Sequence, residues 1–224
     1  MRQGWRELSF LHWAVEPSEV ERFFPSGTRP DTFGGSTYVG LVPFRMVDTG
    51  FPYGPAVPHW GTFLETNIRL YSVDRSGRRG VVFLSLDADR LGIVTAARTI
   101  FGLPYRWARM SHAWDGECHT YTSTLRWPGV RAAAAIGVQV GPALEPGPLE
   151  HFLTARWGLH IHRAGRTWYL PNHHPTWPLH TATLTTFEDD GLLASVGLDL
   201  AGRPPDHLLY SPGVPAEFAL PYLT

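Results

Sequence analysis

Phe63-Leu64-Glu65-Thr66-Asn67-Ile68-Arg69-Leu70-Tyr71 is the stretch on which the reading of this chain turns. It is rich in aromatic and branched residues, which favour a pleated strand, and side chains along a strand alternate between two faces. Leu64, Thr66, Ile68 and Leu70 then share one face, and Phe63, Glu65, Asn67, Arg69 and Tyr71 share the other. The first is a core face. The second combines an acid, an amide, a base and two aromatics. That mixture suits the lining of an internal pocket, and it equally suits a solvated face whose Glu65 and Arg69 pair with neighbours.

The same period-two pattern recurs outward from this stretch. Strands are expected at Thr37 to Phe44, Thr62 to Val73, Gly80 to Asp87, Tyr105 to His112, Glu117 to Arg126 and Arg131 to Val140, then Leu159 to His162, Arg166 to Leu170 and Leu179 to Thr186. Leu91, Val94, Ala97 and Phe101 instead repeat at helical spacing and end at Gly102 with Pro104 beyond, so Leu91 to Phe101 is expected to be a helix. Pro17 to Phe24 and Pro148 to Trp157 read as further short helices with proline in the first turn. The 23 glycines and 20 prolines lie scattered between apolar runs, as turns between short strands. The expected fold is mainly β (α+β): an antiparallel β-barrel or β-cone with two or three short helices, formed by residues 1–224 as one domain.

Composition excludes several function classes. The formal net charge is −1 and the arginines form no tract, so neither nucleic acid nor an anionic membrane has an electrostatic footprint here. The 19 basic residues are all arginine. Without lysine there is no side-chain amine to form an iminium with a carbonyl substrate. Cys118 is the single cysteine, which leaves no disulfide framework and no cysteine-rich zinc site. No apolar leader is visible between Met1 and Leu11, and the longest apolar stretch, Ala132 to Val140, is too short to span a bilayer; a cytoplasmic location is expected. Neither a phosphate-binding glycine loop opening a helix nor a Gly-x-Ser-x-Gly elbow occurs, so no nucleotide cofactor, nor any other, is expected.

Arg98…Gly102-Leu103-Pro104-Tyr105-Arg106 carries a more specific message. It resembles the segment of acetoacetate decarboxylases in which an Arg-Glu pair leads through a Gly-aromatic-Pro turn into two lysines. By that resemblance Thr99 replaces the glutamate, Tyr105 stands where the Schiff-base lysine would be, Arg106 stands at its neighbour, and Glu65 matches an acid on a facing strand. Phe10-Leu11-His12-Trp13, Phe33-Gly34-Gly35, Val39 to Phe44, Glu65 to Arg69, Phe83 to Asp87, Gly102 to Tyr105 and Trp177-Pro178-Leu179 are similar, in order, to the YqjF-like family of the acetoacetate decarboxylase-like superfamily. The resemblance implies a β-barrel-like fold with an internal small-molecule cavity. It implies no reaction, and the missing lysines remove the superfamily's decarboxylase chemistry.

Two functions remain open. The first is an enzyme acting on a small carbonyl or carboxylate compound by acid-base chemistry, of lyase, isomerase or hydratase type. Glu65 and Tyr105 would move protons, an adjacent guanidinium such as Arg106 would favour the phenolate, and Arg69, Arg98 and Arg106 would clamp a carboxylate. Asn67, His174 and Trp177 complete the expected binding set. The second is a non-catalytic small-molecule binding protein that keeps the cavity without the chemistry. His160 and His162 alternate on a strand near His173-His174 and could share a metal, but eleven histidines produce such pairs by chance, and no metal site is assigned. Burial of open sheet edges makes a homo-oligomer a further expectation.

Overall fold

The computed structural model describes residues 1–50, 61–200 and 202–224. The first half of the chain supplies β1 (Arg2–Val15), α1 (Pro17–Val20), β2 (Thr28–Pro30), β3 (Thr37–Gly50), β4 (Phe63–Asp74), β5 (Arg79–Ala88) and α2 (Leu91–Phe101). The second half supplies β6 (Tyr105–Trp114), β7 (Cys118–Leu125), β8 (Ala133–Leu144), α3 (Pro148–Thr154), β9 (Gly158–Arg163), β10 (Arg166–His173), β11 (Leu179–Asp190), β12 (His207–Phe218) and β13 (Tyr222–Leu223). No helix among the described residues is long and apolar enough to cross a membrane.

Among the described residues all strands join one 13-stranded sheet in the order β13-β10-β9-β5-β6-β7-β8-β11-β12-β1-β3-β4-β2. Additional β10–β12 and β5–β4 pairings make it curl and return on itself. Because β5 thereby touches β4, β6 and β9, and β12 touches β1, β10 and β11, the sheet is forked rather than a single ring. The fold is mainly β, as the sequence predicts, with one correction: β5 runs parallel to both β6 and β9. A parallel neighbour needs a crossover, and α2 provides it between β5 and β6. The helix ends where expected, on Gly102 at φ 68°, whose N–H donates to the Arg98 carbonyl; the left-handed turn drops the chain into Leu103-Pro104-Tyr105.

Both faces of β4 are buried. Ile68 and Leu70 pack with Leu11, Trp13, Val39 and Leu41 in one core cluster. Phe63, on the opposite face, packs with Phe10, Phe44, Leu86, Tyr105 and Trp177 in a second. Trp13 and Phe10 are fully buried, and each such side chain contributes about 1.5–3 kcal/mol relative to exposure. The strands β1 and β12 escape sequence reading for a local reason. β1 is bulged against β3, where Glu7 takes φ 55° and the register shifts between Arg6 and Leu11, and in β12 Gly213 takes φ 117° with Pro212 and Pro215 near it like turn residues.

Candidate active site

A cavity of about 560 Å³ lies against the polar face of β4, and Glu65, Asn67 and Arg69 all line it. The face left open by periodicity therefore points inward. Cross-strand pairing sets Phe44 opposite Glu65 and Val42 opposite Asn67 on β3, so both of these polar groups have an apolar neighbour on the cavity wall.

Tyr105 enters the cavity from the first residue of β6, held in parallel register against Leu86 of β5. Its phenol donates to Glu65 Oε2 at 2.7 Å. The two side chains, far apart in sequence, form the only direct contact between the predicted catalytic groups. Glu65 is 2 % exposed. Burial is the largest influence on its carboxyl and, with the negative charge of Asp87, outweighs hydrogen bonds from Tyr105 and Asn67, raising its pKa to about 7. The Tyr105 phenol is pushed well above its ordinary range by burial first and by the Glu65 carboxylate second. Glu65 is thus poised to exchange a proton near neutrality, whereas Tyr105 stays protonated and acts as a donor.

The remaining arginine expectations change. Arg106 follows Tyr105 by one residue and so faces the other side of the sheet, where it pairs with Asp87 and donates to Ser85 and Ser195. It does not line the cavity. The expected Arg106-assisted phenolate has no basis in this arrangement, because strand alternation separates the two groups. Arg98 also stays outside the cavity: its Nη1 donates to the Tyr105 carbonyl at 2.7 Å, and its guanidinium carbon lies 4.7 Å from the centre of the Trp127 ring. It anchors the backbone of Tyr105 instead of a ligand.

Arg69 does face the cavity, donating Nη2 to Tyr71 Oη at 3.2 Å and to the Leu153 carbonyl at 3.3 Å. Among the described residues no carboxylate pairs with it, and its Nε has no hydrogen-bond partner. His174 and Trp177 also line the cavity. The His174 ring nitrogens lie 2.8 Å from the Pro175 carbonyl and 3.2 Å from the Arg156 carbonyl, and burial lowers its pKa despite these contacts. Trp177 donates Nε1 to the Thr154 carbonyl and stacks on Trp5 at 5.7 Å.

Sequence reasoning missed Arg156, Asn172 and Trp5, which line the same cavity. Arg156 donates Nη1 to Asp31 at 2.5 Å and Nε to the Phe152 carbonyl, and its Nη2 has no partner among the described residues. Burial, followed by the neighbouring Arg79 charge, lowers its pKa to about 10. Its only sequence signal was a charged residue just past an apolar helix. Asn67 Oδ1, Asn172 Oδ1 and Trp5 Nε1 are likewise buried without partners among the described residues, an unusual concentration, since buried polar groups are generally paired.

The alternating histidines do not converge. His160 is buried against Ser72 Oγ at 2.8 Å, His162 is exposed, and no group of three His, Cys, Asp or Glu among the described residues could hold a metal ion.

The fold is that of the acetoacetate decarboxylase-like proteins. An enduracididine biosynthesis enzyme, MppR, in complex with pyruvate superposes with a TM-score of 0.65 at 14% identity over 99% of this chain and 89% of its own. An acetoacetate decarboxylase from Legionella pneumophila superposes with a TM-score of 0.63 at 13% identity, over 100% of this chain and 88% of its own. Sequence adds the narrower relationship. Residues 2–215 match the DUF2071 family, described as an uncharacterized conserved protein, and the chain belongs to that family. Its relative YqjF of Bacillus subtilis is 33% identical over 184 residues, covering 81% of this chain and 76% of that protein.

Proposed function

We propose that the protein is a small-molecule enzyme that moves a proton on a carbonyl compound bearing a carboxylate, without a Schiff base. The observation that carries this reading is the 2.7 Å Tyr105–Glu65 hydrogen bond inside the cavity, beside a carboxyl whose pKa stands at about 7. A base is most effective when its pKa lies near the working pH. The Glu65 carboxylate takes a proton from the carbon next to the carbonyl, and the electron pair moves onto the carbonyl oxygen as an enolate. Once protonated, Glu65 accepts more weakly, which frees the Tyr105 O–H to donate to that oxygen. Return of the proton from Glu65 to carbon completes an exchange or isomerisation. Arg69 and Arg156 hold the carboxylate, while Asn67 keeps Glu65 oriented.

The test is deuterium exchange next to the carbonyl, followed by NMR in heavy water with short and long oxo acids. Exchange that disappears in Glu65→Gln is expected. Exchange undiminished in that variant would remove Glu65 from the role. A non-catalytic binder is the second reading, favoured by the absence of any lysine in the chain; it is expected to give saturable binding with no exchange at all.

A further inference from the structure

The cavity separates its charged end from its proton-transfer pair. Arg69 stands four residues beyond Glu65 on β4, a backbone distance of about 13 Å at the usual strand rise. Its guanidinium carbon lies between two rings, 5.4 Å from the centre of Phe10 and 5.5 Å from that of Tyr71. Its Nη2 is tied to Tyr71 Oη and to the Leu153 carbonyl, and Tyr71 lies further still from Glu65 along the same strand. Arg156 gathers at this end too: the two guanidinium carbons lie 5.5 Å and 4.9 Å from the centre of the Tyr71 ring. Both carry an unpartnered buried nitrogen among the described residues, Nε of Arg69 and Nη2 of Arg156. Around the path between the two ends the wall is mostly apolar, with Val42, Phe44, Leu86, Phe83 and Trp177 on it, and Asn67 is the polar side chain of β4 between them. The volume of about 560 Å³ falls in the range that holds drug-sized ligands rather than three-carbon acids.

We propose that the substrate is an elongated oxo acid, in which a run of apolar carbons separates the carboxylate from the reacting carbonyl. Its carboxylate sits on Arg69 and Arg156, its apolar body lies along Val42 and Phe44, and its carbonyl reaches Glu65 and Tyr105. This deepens the proton-transfer reading above and rests on it for the role of Glu65, but ligand class and chemistry are separately measurable.

The experiment is calorimetric titration of the full chain with pyruvate, levulinate and two longer methyl-ketone acids, each also as its uncharged methyl ester. Affinity is expected to rise about fourfold for each added methylene until the cavity is filled, and each ester of the longer acids to bind at least about tenfold more weakly than its acid, for loss of the charge-assisted bonds. Because the native protein is used throughout, no variant has to fold for the result to count. Pyruvate binding as tightly as the longest acid, or esters matching their acids, would overturn the proposal. Deuterium exchange on the same samples separates the two readings. Tightening with length but no exchange upholds the ligand class and removes the chemistry; exchange on pyruvate with no length dependence does the reverse.

Discussion

Arg106 and Asp87 form a two-point ion pair in the protein interior, with Nε–Oδ1 at 2.6 Å and Nη2–Oδ2 at 2.9 Å. They are register partners in the parallel β5–β6 ladder, and their side chains are only 9% and 0% exposed. Ser85 and Ser195 accept two further hydrogen bonds from the guanidinium, on the face away from the cavity. The pair fixes β6 against β5 and thereby the height at which Tyr105 enters the site.

Breaking this pair on one side is expected to be severe. Asp87→Ala leaves a buried guanidinium unpaired and should destabilise by about 3–5 kcal/mol, read from urea unfolding. Asp87→Ala combined with Arg106→Met should recover a large part of that loss. A single-variant loss below about 1 kcal/mol would mean that Arg106 finds water instead.

Glu65 gives stability a distinctive pH dependence. Its folded pKa, about 7, lies above its ordinary value of 4.5. The folded state therefore holds a proton that the unfolded chain releases. The associated stability is present below about pH 4.5 and is lost as pH rises through about 7, to a total of about 3 kcal/mol. Glu65→Gln does not titrate; relative to the parent it should gain stability between pH 4 and pH 8 by about that amount. Chemical denaturation at the two pH values measures it, and identical pH dependence of both proteins would count against a protonated buried carboxyl.

Tyr105→Phe removes the donor to Glu65 Oε2. The hydrogen bond lowers the Glu65 pKa, so its loss should move the acid limb of the exchange rate to higher pH. The rate itself should fall by about 10²–10⁴, the usual worth of a positioned acid or base. A merely packing role for the phenol would leave the acid limb in place, and the pH–rate profile distinguishes the two outcomes.

On the opposite side of β1, His112 Nε2 lies 2.9 Å from His119 Nδ1, with Glu7 3.5 Å from His112 Nδ1. Burial, with the His112 charge second, lowers the His119 pKa to about 4, and burial lowers that of His112. Both rings are held neutral, so their contribution is present above the ordinary histidine range and is lost as pH falls toward 4. Melting temperatures of Glu65→Gln, in which the opposing contribution of the Glu65 carboxyl is gone, should drop between pH 7 and pH 4.5. Adding His119→Phe, which preserves the stack on Tyr210, should flatten that fall.

Much of the strand framework was legible because strands such as β7 and β11 alternate and others are rich in branched and aromatic residues, while α2 carries its own punctuation in Gly102. The bulged strands were not, since Gly213 and the prolines beside it mimic a turn while long-range pairing to β1 keeps them in the sheet. The forked topology and the parallel β5–β6 pair are likewise products of contacts between distant segments. For the site, Glu65, Asn67, Arg69, Tyr105, His174 and Trp177 were all named from sequence and all reach the cavity.

The sequence by itself determined which residues of β4 share a face and that no side-chain amine is present to form an iminium, because these follow from strand period and side-chain inventory. Only the tertiary structure decided that the polar face of β4 points inward, that Glu65 meets Tyr105, and that Arg156 from the end of α3 joins Arg69. Which side of a strand is buried, and which distant groups then share a desolvated space, depends on how the sheet curls and forks, and that is a property of long-range pairing that no local pattern carries.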